Sequence, residues 1–199
     1  MVDRSPAMKS RFGSGMAGAL LLLAGTVNII FNMISEGTYP GYNLGTNALS
    51  DMGAIGSPTA LLWNSQLLAT GVLSFIGVML FLRSSVLPIP NSRIAWLLYT
   101  MPPLGTIVVS LVPENSIVAI HAVGAFMVFI FGGLGSIYAY RFTKPPFKYL
   151  SVLLGAVSLL AILLFGIPSV LGFGIAERLV VYPFNIWTIS FAGYLMSNG

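Results

Sequence analysis

The chain has one histidine, His121, and five acidic residues, of which Glu114 stands seven positions ahead of it. In a helix that spacing puts both side chains on one face, about 10.5 Å apart along the axis. An imidazole and a carboxylate on one face can relay a proton. Downstream of His121, through Phe131, the run is almost purely apolar. The pair therefore marks where a hydrophobic segment meets something polar.

Four further residues extend the set: Ser50 and Asp51 in one connection, Glu177 and Arg178 in another. One chemistry they support is acid–base hydrolysis or transfer on a lipid-like substrate. His121 would shuttle the proton, Asp51 or Glu114 would orient it, and Arg178 would hold a phosphate or a developing negative charge. Ser50 is then the candidate nucleophile, although no G-x-S-x-G elbow surrounds it. His121 with Asp51, Glu114 and Glu177 would offer a metal one nitrogen and several oxygens. No H-E-x-x-H or related spacing supports that, and there is no cysteine to add a thiolate. No metal site is expected, and a cofactor stays open. A proton-coupled transporter could use the same groups, but no comparable ionisable residues mark the other half of the segments. A non-catalytic membrane subunit or scaffold is a third class. Each residue also has a packing role open to it: His121 bonded to a carboxylate or carbonyl, Ser50 and Asp51 as a helix stop or cap.

The elements that must position these residues follow from composition. Of 199 residues 56% are hydrophobic and 7% charged, against roughly a quarter charged in soluble domains. Six apolar segments, about 14–35, 59–82, 94–112, 116–140, 148–168 and 179–196, each approach the ~20 residues a membrane helix needs. None shows the strict alternation of a barrel strand. The first continues through Ile34 without a small-x-small cleavage site, so it reads as a retained helix rather than a signal peptide. Residues 1–13 form a cytoplasmic lead-in, and 14–196 one transmembrane domain.

Charge orients the bundle. Arg4, Lys9, Arg11, Arg83, Arg93, Arg141, Lys144 and Lys148 fall on one side, while Glu36, Asp51, Glu114, Glu177 and Arg178 fall on the other. The positive-inside rule then predicts an all-α bundle of six transmembrane helices in the cell membrane, with N- and C-termini cytoplasmic. The net charge of +4 is spread thinly beside apolar segments, so membrane lipids rather than nucleic acid are the expected partners.

The longest outer connection, 36–58, carries Tyr39-Pro-Gly-Tyr-Asn, strong turn chemistry, and reads as a lid or re-entrant element. Tyr42 suits the interface, as does Trp63 at the head of segment 2, which is followed by Asn64, Ser65 and Gln66. Asn32 and Asn185 sit at similar depth, either bridging helices or lining a polar cavity. Gly15, Gly18, Gly132, Gly133, Gly135 and Ser136 give small faces for close packing. Pro102-Pro103 should kink or unwind segment 3. A last outer connection, about 168–178 and containing Pro168, ends in Glu177-Arg178.

At Tyr39-Pro-Gly-Tyr-Asn, Leu49-Ser-Asp-Met-Gly, Asn64, Pro113-Glu-Asn ahead of His121 and Ala176-Glu-Arg, the chain resembles a family of mainly archaeal and bacterial membrane proteins catalogued as domain of unknown function 998. The resemblance spans roughly 14–196. It implies a six-helix fold, draws attention to Ser50, Asp51, His121, Glu177 and Arg178, and brings no established activity. A looser likeness to membrane hydrolases that hold zinc with several histidines fails at the metal, since His121 is alone. The expectation is an outward-facing polar pocket for a lipid or small polar molecule. Glu177, Arg178, Asn64 and Tyr42 would be ligand contacts, and His121, Asp51, Glu114 and Ser50 the reactive groups if it is an enzyme.

Overall fold

The structure is a computed structural model describing residues 6–166 and 171–198, with side chains for 12–165 and 171–198. Arg4 and Pro168 lie outside the described residues, as do the side chains of Lys9 and Arg11.

Six helices are long and apolar enough to cross a membrane. They are α1 Pro6–Thr38, α2 Ala60–Ser84, α3 Ser92–Leu111, α4 Val118–Tyr138, α5 Phe147–Ile162 and α6 Phe173–Asn198. Hydrocarbon offers backbone amides no partner, so each apolar run satisfies them within itself as a helix. Asn91 starts α3 by accepting the Ile94 amide at 3.2 Å, an N-cap that meets one orphan donor. Despite Pro102 and Pro103, α3 stays helical from end to end and does not unwind. The Thr106 hydroxyl bonds the Pro102 carbonyl there, at 3.0 Å.

Each helix packs on the next, and α6 returns to α1, closing a ring. A direct contact of α4 with α6 leaves α5 outside, packed on those two. Without a hydrophobic drive between helices in lipid, small residues decide the close crossings. The clearest lies between α3 and α4, where a Cβ on Gly105 would sit 2.4 Å from the Gly124 carbonyl oxygen. Gly18 and Gly133 serve in the same way, whereas Gly15 has nothing within 4 Å of its Cβ direction.

The ring has two unlike ends. One, the basic end, carries Arg83, Arg93, Arg141, Lys144 and Lys148. The other, the acidic end, carries Glu36, Asp51, Glu114 and Glu177 together with Arg178. At the basic end Tyr99, Trp187, Phe191 and Phe81 pack ring on ring, with Trp187–Phe191 centroids 4.9 Å apart and Phe81–Phe191 5.1 Å. At the acidic end the 39–59 loop folds back and buries Leu49 and Met52 against Trp63, Leu67 and Val109. Its only regular element is a one-turn 3-10 helix, Ser50–Gly53.

Candidate functional site

Arg178 fixes the loop. Expected in a connection, it lies instead in the second turn of α6, which begins at Phe173. Its Nε and Nη2 donate to Glu36 Oε1 at 3.1 and 2.7 Å, and Nη2 also to the Tyr42 hydroxyl at 2.8 Å. Nη1 donates to the carbonyls of Leu44, Asn47 and Gly174 at 2.9–3.1 Å. All its nitrogens are thus engaged, and the guanidinium ties the loop to α1 and α6. Tyr42 completes the clamp by donating to the Ala48 carbonyl at 2.6 Å. Burial, with Arg178 opposing, pushes its phenol up to about 12, so it stays protonated. The close seat of the loop needs glycine at 174, where a Cβ would lie 2.2 Å from the Asn47 carbonyl oxygen.

Glu177, buried in the same helix, accepts the Leu49 amide on Oε2 at 2.5 Å. The carboxylate thereby meets the N-terminus of the 3-10 turn, where amides lack intrahelical partners. Asp51 accepts the Ala48 amide and the Asn47 side-chain amide on its own Oδ2, at 3.0 and 2.9 Å. Glu114 reaches this turn from the α3–α4 connection, in hydrogen-bonding contact with the Ser50 side chain and the Asp51 carboxyl. Two carboxyls that share a hydrogen bond hold a proton between them. Burial and the Asp51 contact push the Glu114 carboxyl up to about 7, with Ser50 opposing. Next to it, Asn115 pairs with both backbone groups of Ile55, at 2.8 and 3.1 Å.

That arrangement corrects the expected Glu114–His121 face. Pro113 and the Asn115–Ile55 pairing hold 113–117 as turns, and α4 starts only at Val118, so Glu114 is not on the helix of His121. The partner of His121 is a carbonyl: Nδ1 lies 2.7 Å from the Val112 oxygen. A carbonyl only accepts, so Nδ1 carries a proton, and in the neutral ring Nε2 keeps its lone pair. Among the described residues no group of three or more His, Asp or Glu converges closely enough to hold a metal ion.

Inside the ring lies a cavity of about 120 Å³, many times the ~10–15 Å³ that one water needs. Five helices and Leu49 of the loop line it; α5 does not. On α4 its lining spans His121 to Gly135, about 21 Å at ~1.5 Å per residue. Glu177 and His121 stand at the acidic end, and Phe81, Tyr99 and Phe191 at the basic end.

Between them runs a row of neutral polar groups. Asn32 Oδ1 accepts from the Trp63 indole at 3.0 Å and from Gln66 Nε2 at 3.3 Å. Asn32 donates in turn to Asn28 Oδ1 at 3.2 Å, which also accepts from Asn185 at 2.7 Å. The amides therefore bridge α1 to α2 and α6, and three of them line the cavity as well. Trp63 is no interfacial anchor: it is 4% exposed and bonded inward. Asn64 serves the loop, donating to the Gly53 carbonyl at 2.9 Å. Asn28, Thr70, Ser74, Thr106 and Thr188 were not among the expected site residues but line the cavity. The spacing Asn28–Asn32–Glu36, one helical turn at each step, was the available signal.

No curated protein and no solved structure matches the chain. A family model described as protein of unknown function (DUF998) matches residues 16–194. With that match spanning nearly the whole ring and all three loops of its acidic end, the chain belongs to the DUF998 family of proteins of unknown function.

Proposed function

We propose that this protein binds a membrane lipid, with one hydrocarbon chain in the central cavity and the polar head against the amide row. The 39–59 loop closes the site. In this reading the acidic end faces outward across the cell membrane, and the basic end and both termini face the cytoplasm, as the gathering of Arg and Lys at one end favours.

The carrying observation is the cavity itself: its lining extends about 21 Å along α4 and is apolar for the most part, interrupted by a few amides and hydroxyls. Ligand sites combine a mostly apolar wall with a few convergent polar groups in this way. Asn64, Tyr42 and Arg178 act here by seating the loop rather than by touching the ligand.

The test is mass spectrometry of lipids retained by the purified protein, comparing wild type with Val128→Trp, which fills the cavity. A lipid carried by the wild type and missing from the variant is the expected result. Equal lipid content in both would remove the reading. A second reading, a hydrolase or transferase, draws on the Ser50 side chain beside the Glu114–Asp51 pair. A lipid consumed or produced by wild-type membranes and unchanged with Asp51→Asn would favour it.

A further inference from the structure

The lining of the cavity is chemically selective. Among the described residues its only acidic or basic side chains are Glu177 and His121, both toward the acidic end, and no lysine or arginine lines it. Arg178 has every nitrogen engaged within the protein. His121 has already committed Nδ1 to Val112. A phosphate or carboxylate head would therefore lie among neutral dipoles, near the Glu177 carboxyl and without a committed counter-charge. Ions at such depth are costly unless paired.

Among the described residues four buried side-chain oxygens are without partners, those of Ser35, Asn64, Gln66 and Thr70, and two of them bear on the cavity. Thr70 Oγ1 and Gln66 Oε1 make no hydrogen bond, although their residues are 7% and 5% exposed. They belong to positions one turn apart on α2. Thr70 lines the cavity, and Gln66 is bonded through its amide nitrogen to Asn32, which lines it too. Buried acceptors are normally satisfied, and an orphan in a cavity wall identifies what the occupant should supply. The occupant must also be thin. A volume of about 120 Å³, with a lining that extends about 21 Å along α4, suits one extended chain.

We infer that the lipid is a single-chain amphiphile with an uncharged, hydrogen-bond-donating head, a hydroxyl on an acyl or prenyl chain, seated at Thr70 beside Asn32 and Gln66. This rests on the lipid-binding reading above and adds the class of lipid. The hydroxyl donates to the Thr70 oxygen, and the chain runs toward Phe81 and Phe191.

The protein is reconstituted in phosphatidylcholine nanodiscs, because alkyl-glycoside detergents are themselves single-chain hydroxyl amphiphiles. Native mass spectrometry then measures binding of hexadecanol, hexadecyl phosphate and hexadecylamine. Hexadecanol should bind about tenfold more tightly than either charged analogue, and Thr70→Val should remove most of that preference. Thr70 Oγ1 bonds nothing within the protein, so the variant should melt as the wild type does. Equal binding of the phosphate or the amine, or an unchanged preference in Thr70→Val, would overturn the head-group inference and leave the cavity reading intact. No binding of any of the three, or hexadecanol binding that survives Val128→Trp, would overturn both.

Discussion

At the basic end the cavity stops against Tyr99, Trp187 and Phe191, stacked on one another, with Phe81 edge-on to Tyr99 and Phe191. At the acidic end it stops against Leu49, in a loop held by Arg178, Glu177, Tyr42 and Asn115. The aromatic end depends on dispersion between close surfaces, with no acidic or basic side chain among the four rings. The loop end depends on directed bonds among a few polar groups, so removing one member leaves others unsatisfied. A floor of rings and a cover of hydrogen bonds should therefore fail in different ways.

The largest effect is expected at the cover. Arg178→Leu leaves Glu36 without its ion pair and frees three carbonyls and the Tyr42 hydroxyl. A broken buried pair costs about 3–5 kcal/mol. Limited proteolysis should then cut within 41–48, where wild type resists. An uncut loop in the variant would show that the apolar seat of Leu49 and Met52 suffices alone.

Phe191→Ala should follow, at about 2–3 kcal/mol. In lipid the loss is mainly packing, below the ~3–5 kcal/mol of a water-soluble core. Global melting should drop while protease resistance of the loop stays as in wild type. Loss of both together would mean that the two ends are not independent.

The smallest effect is a pH dependence confined to the cover. Glu114 is pushed up to about 7 from 4.5, so its protonated form favours the closed arrangement. That contribution is fully present below the ordinary carboxyl range and is lost as pH rises through about 7. Glu114 is half-exposed, and solvent screening reduces the effect to about 1 kcal/mol. Thermal unfolding should fall modestly between pH 5 and 8. Glu114→Gln, still able to donate to Asp51, should flatten the profile. An equally steep profile in that variant would locate the titration elsewhere.

The six helices were legible because hydropathy alone dictates them in a bilayer, and Tyr-Pro-Gly-Tyr-Asn was enough to mark a loop that turns back. Less legible was anything that depends on which loop meets which. Glu114 looked like a helical partner of His121, since spacing cannot show that Asn115 is held by Ile55, sixty positions earlier. Glu177 and Arg178 looked like loop residues because they are charged. They are helical because the 44–49 segment supplies two carbonyls and a carboxylate-binding amide where water would otherwise be needed. Asn28 was legible in principle from its spacing to Asn32 and Glu36, but its role depends on Asn185.

That stripe on α1 has a consequence for biogenesis. Asn28, Asn32 and Glu36 share one face, and their partners arrive at different times during synthesis. Asn32 finds Trp63 and Gln66 as soon as α2 is inserted. Asn28, already bonded to Asn32 on the same helix, gains Asn185, and Glu36 gains Arg178, only some 140 to 160 residues later. Until α6 enters the bilayer, α1 carries a carboxyl and an amide facing an open ring. Closure of α6 onto α1 is thus the step that gives this face its remaining partners.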